Sequence, residues 1–79
     1  MELQITRADK RRYIENWNDE RNSAFLYRAL AEQEADPRLV DVYRRLAITE
    51  EKHAATWAQR LQDAGETLPM FTPSWRSRT

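Results

Sequence analysis

Glycine and proline are so scarce in this 79-residue chain, one and three copies, that the places where they fall decide what it can become. Between Arg7 and Glu34 there is neither, so nothing in that stretch breaks a helix. Thr6, followed three residues later by Asp9, resembles a capping signal at its start, with Asp where Glu is more usual. The strongest boundary is Asp36-Pro37: the aspartate can accept a backbone N–H bond, and the proline suits the first helical position. The next breaker is Gly65, suited to the left-handed conformation that ends many helices. The expected organisation is two helices, about 7–34 and 37–64, each about 42 Å long at 1.5 Å per residue. A connection of about two residues, Ala35-Asp36, makes them antiparallel neighbours. Residues 1–65 therefore read as an all-α helical hairpin and 66–79, with two prolines and no helical period, as a linker or arm. In that arm Met70, Phe71 and Trp75 are candidates to pack on a partner.

Both helices carry an apolar face at spacings of three, four and seven. In the first it comprises Tyr13, Trp17, Ala24, Tyr27 and Ala31; in the second, Leu39, Tyr43, Leu46, Ala47, Trp57 and Leu61. Two helices side by side cannot cover both faces, and only 14 of the 79 residues are Leu, Ile, Val or Phe. The expectation is a homodimer, or a higher homo-oligomer, in which two hairpins form a four-helix bundle. Thirteen basic residues balance thirteen acidic ones, which removes the bulk field that would gather nucleic acid or an anionic bilayer. No apolar run approaches the roughly 18 residues of a membrane helix. The absence of cysteine removes disulfides and thiol catalysis, and the polar start lacks a secretory core, so a cytoplasmic setting is the default.

Polar residues on the apolar faces are the informative ones. Glu20 lies seven residues from both Tyr13 and Tyr27, hence within about 20° of each around the helix. Glu50 stands in the same relation to Tyr43 and Trp57, and His53, the only histidine, follows it by one turn. Counted from Asp36, Glu20 is 16 residues away, Glu50 is 14 and His53 is 17. Their heights along the hairpin are then about 24, 21 and 25 Å, so the three side chains converge within one turn. Glu34 lies too near the turn to join them. Glu51 and Asp19 are level but rotated by about 100° toward the flank, where both are candidates for a second layer around the cluster or an ion route.

Two carboxylates and an imidazole facing a bundle interior cost several kcal/mol unless paired, and a divalent metal removes that cost. A Glu on one helix with Glu-x-x-His on another is half of a carboxylate-bridged di-iron arrangement, and a two-fold dimer supplies the other half. Mn and Zn accept the same donors. The bland readings are a solvated pair for Glu50 and His53 and an ordinary helix carboxylate near Arg21 or Arg28 for Glu20. Tyr27, Tyr43 and Trp57 read first as core, with a further role in orienting ligands and limiting water. Arg28, Arg38, Arg44 and Arg45 read as a solvated face with interleaved acids.

At Glu20, Tyr27, Glu50 and His53 the chain resembles the ferritin-like superfamily, and from about Arg7 to Gly65 its rubrerythrin-type branch. Two groups are most similar: the encapsulated ferritins, whose short two-helix chains dimerise around a ferroxidase centre, and the ferritin-like domain of membrane-bound ferritins, fused to a vacuolar iron transporter domain. The chain departs from the first in lacking the acid-rich, His-containing surroundings of its metal entry site. The resemblance implies a di-iron centre shared between two chains, with Glu50 bridging and Glu20 and His53 as terminal ligands, oxidising Fe(II) to Fe(III) with O2. It also implies a membrane iron transporter domain or an encapsulin shell as partner, and tethering to a membrane in a longer protein. Two other functions fit the same residues: a non-catalytic iron-sensing or chaperone domain, and a purely structural dimerisation hairpin.

Overall fold

A computed structural model describes residues 5–73 of the chain. It contains two helices, α1 (Arg7–Gln33) and α2 (Pro37–Asp63), packed along each other as a hairpin, with no strand among the described residues. Each helix has 27 residues and ends one residue before the position expected from the sequence, which makes the connection three residues long. The caps explain the boundaries. Thr6 accepts the Asp9 N–H at 3.0 Å, and Asp36 accepts the Arg38 N–H at 2.9 Å with Pro37 at the first turn. Glu34, already extended, turns its carboxylate to the Asp36 N–H at 3.1 Å and closes the loop. At the far end Gly65 takes φ 77°, and Gly65 N–H and Glu66 N–H reach back to the Gln62 and Leu61 carbonyls, both at 2.9 Å. This double bond with a left-handed residue is a Schellman ending, and it turns the chain back along the hairpin.

The seam between the helices is built from heptad-spaced residues: Trp17, Ala24 and Ala31 on α1, Ala47, Ala54 and Leu61 on α2. Four of these six buried side chains are methyl groups, so the helices meet through small residues and the larger apolar ones are left outside. Leu39 and Leu46, expected on the covered face, are 43% and 37% exposed, as are Leu30 at 36% and Val42 at 47%. The physical reason is that one helix covers a strip only about one residue wide. The stripe on α2 is broader than that strip and extends past it. Ala54 belongs to the seam although its size gave no sequence signal.

Beyond Gly65 the arm lies on α1 of the same chain. Glu66 pairs with Lys10 at 2.9 Å, and the Phe71 ring sits 6.2 Å from Trp17, edge-on, and 6.4 Å from Phe25. Of the residues expected to meet a partner, Phe71 is thus engaged within its own chain, Met70 is 92% exposed, and Trp75 lies outside the described residues. No helix among the described residues is long and apolar enough to cross a membrane.

Candidate metal centre

Glu20 projects from the middle of α1, three residues after the buried Trp17, and Glu50 and His53 project from α2, three residues after Ala47 and one before Ala54. The seam positions therefore set the rotation of each ligand toward one flank of the hairpin. There the three side chains meet: one donor atom from each of Glu20, Glu50 and His53 lies within 4.8 Å of the other two. His53 Nδ1 is 3.5 Å from Glu20 Oε2. The same oxygen is sealed from solvent and accepts no hydrogen bond, which among the described residues makes it the only buried side-chain oxygen or nitrogen left without one. With the His53 ring nitrogen at 3.5 Å and the Glu50 carboxyl close by, two carboxyls and an imidazole crowd that oxygen, and the cluster is under electrostatic tension.

Glu50 registers that tension. Its carboxyl is held above the ordinary 4.5, first by its close approach to the Glu20 oxygens, which favours a shared proton, then by partial burial and by the Glu20 charge; His53 pulls the other way. The donor set suits a divalent cation. Carboxylate oxygen and imidazole nitrogen bind such ions at about 2.0–2.2 Å, so donors on one ion stand about 3–4.4 Å apart, and a rotamer adjustment of the three side chains would bring the cluster into that range. The His53 side chain is still 55% exposed and that of Glu20 26%, so the cluster lies at an open surface of the single chain.

The surroundings divide into two ends and two flanks. Toward the open end, Tyr13 and Trp57 stack with centroids 5.3 Å apart, and Arg60 lies over both rings, 4.8 Å from Trp57 and 6.0 Å from Tyr13. The level count that unites Glu20 and Glu50 also finds this pair, since Tyr13 and Trp57 stand 23 and 21 residues from Asp36. Toward the turn, Tyr27 and Tyr43 are half-buried on their helices. Glu51, rotated out of the cluster toward the flank as its helix position implies, receives a two-pronged fork from Arg28, with Nη2 at 2.7 Å and Nε at 3.2 Å, on the opposite flank. The fork holds Glu51 below its ordinary value, against a partial burial that raises it. Sequence reasoning missed this pair because Arg28 and Glu51 are not level; only a long guanidinium side chain spans the offset. Arg21, another candidate neighbour of Glu20, instead lies over the Trp17 and Phe71 rings at 5.9 and 4.8 Å. Arg45 with Asp41 at 2.9 Å and Arg38 with Asp36 at 3.9 Å form exposed pairs.

Fold and site together define an all-α hairpin with a carboxylate–imidazole cluster on one flank. No protein-family model matches the chain, and no curated protein or solved structure does.

Proposed function

We propose that two copies of this chain form a ferritin-like four-helix bundle that binds iron and oxidises Fe(II) to Fe(III), with O2 as electron acceptor. The observation that carries the reading is the convergence of Glu20, Glu50 and His53 around one Glu20 oxygen that is sealed from solvent. A cation is the simplest partner for such an oxygen, since neither helix turns a Lys or Arg to it. In this reading Glu20 and His53 would be terminal ligands and Glu50 would be shared by two irons. Several carboxylates on one centre favour the higher charge of Fe(III). The second copy is supported by a separate observation. Leu30 on α1 and Leu39, Val42 and Leu46 on α2 lie within about 80° of Glu20 or Glu50 around their own helices. All four are more than a third exposed, a patch beside the cluster that a symmetric partner would cover together with His53.

Anaerobic addition of Fe(II), followed by sedimentation, tests the proposal. The expected result is uptake of two irons per two copies with the mass moving to that of a pair, since a ligand that binds only the pair strengthens it by mass action. Glu50→Ala and His53→Ala lose both effects. On admission of air the loaded pair oxidises Fe(II) well beyond two equivalents. A single chain whose mass ignores two equivalents of iron defeats the proposal, and tight binding without turnover leaves a sensor in its place.

A further inference from the structure

A hairpin of two helices has two flanks, and the chain treats them differently. One carries the cluster and the exposed Leu30, Leu39, Val42 and Leu46. The other carries Phe25, the Arg28–Glu51 fork and, on α2, the 43% exposed Ile48. Across this second flank runs the arm, Glu66 to Pro73. Its first anchor is the Lys10 pair at 2.9 Å and its second is Phe71, set against Trp17 and Phe25 with Arg21 over the ring at 4.8 Å. The five-residue step from Glu66 to Phe71 spans about 16 Å when extended, and the eleven-residue step from Lys10 to Arg21 along α1 covers about the same length. The arm is therefore drawn straight alongside the helix. Pro69, between the anchors, fixes φ and offers no N–H to a neighbouring strand.

We propose that the arm is a seal on the second flank which ends self-association at two copies; the inference rests on the reading that a second copy covers the cluster flank. Were both flanks open, each copy could bridge two others, and contacts between unlike faces propagate into rings or open arrays. Filling one flank with side chains of the same chain leaves a single self-complementary face, which closes after one partner. The seal is incomplete: a groove of about 440 Å³ walled by Arg21, Phe25, Arg28, Glu51 and Phe71 stays open on this flank and runs on toward the turn along Ala29, Glu32 and Gln33. Phe71 is thus the side chain whose removal opens the flank along its length.

The test uses the full chain carrying Glu66→Ala and Phe71→Ala together, with Met70→Ala as a control in the same segment. Sedimentation is followed over a wide concentration range, in chelator and with anaerobic Fe(II), while hydrogen exchange at residues 66–73 reports release of the arm. The double variant is expected to show a mass that climbs with concentration past two copies, and Met70→Ala to behave as the parent. Adding Phe25→Glu to the double variant is expected to abolish the extra association by placing a charge on the uncovered flank. A released arm with the parent's stoichiometry overturns the seal, as does extra association that persists with Phe25→Glu. Should the double variant fail to fold, Lys10→Ala with Phe71→Leu releases both anchors more gently and is read in the same way. A parent that stays single in iron overturns the cluster reading instead, and the behaviour of the double variant in chelator still decides the seal.

Discussion

At the residue scale, Glu50 and its neighbour Glu51 face opposite electrostatic worlds, and they should move the stability of the metal-free chain in opposite directions. Glu50 is raised above 4.5, so it stabilises the fold in its protonated form: that contribution is full below the unfolded value and is lost as pH rises through the raised one. Glu51 is lowered by Arg28, so its contribution is present above the unfolded value and is lost as pH falls through the depressed one. Denaturant melts in chelator between about pH 4 and pH 7 read both. Glu50→Gln should gain on the parent chain as pH rises, and Glu51→Gln should lose. If Glu50→Gln tracks the parent at both ends, the carboxylate contact with Glu20 has no energetic weight. If the proposed centre forms, added Fe(II) should reverse the Glu50 result, the ion taking the place of the shared proton.

At the element scale, the alanine seam makes the helix contact close and intolerant of added volume. Ala47 is fully buried, and Ala47→Leu should cost about 1–3 kcal/mol in a thermal or denaturant melt, because the added methylenes must force the helices apart. A change below that range would mean the seam opens without resistance. The seam also shows how much of the fold was legible in advance. Caps, proline and glycine carry local signals, so the hairpin and its helix limits could be read to within a residue. The rise per residue is a fixed geometric quantity, so the convergence of Glu20, Glu50 and His53 could be computed from the position of Asp36 alone. Burial could not. Ala54 and Leu46 differ in which of them meets the other helix, and hydrophobicity ranks them in the wrong order for this fold. The Arg28–Glu51 fork and the Phe71 contact were likewise out of reach, because both depend on side-chain length and on the path of an arm without periodicity.

At the scale of the whole molecule, small residues are inside and large aliphatic ones outside: among the described residues four alanines are buried, while six leucine, valine and isoleucine side chains are at least 36% exposed. Leu46→Gln therefore has two expected outcomes in one protein. It should leave the melt of the single chain in chelator nearly unchanged, since the side chain is 37% exposed there, and it should weaken the proposed iron-dependent pairing measured by sedimentation. Equal effects on both would place Leu46 in the stability of the hairpin alone.

The small size of the seam residues reaches further, into how the chain tolerates genetic change. In most domains, truncation to alanine is harshest at buried sites, yet at Ala24, Ala31, Ala47 and Ala54 that truncation is already the parent residue. A saturation library selected for the proposed iron-dependent pairing should thus return an inverted tolerance map: enlarging substitutions fail along the seam, shortening ones fail at the exposed leucines, and a ranking of positions by burial predicts the damage poorly.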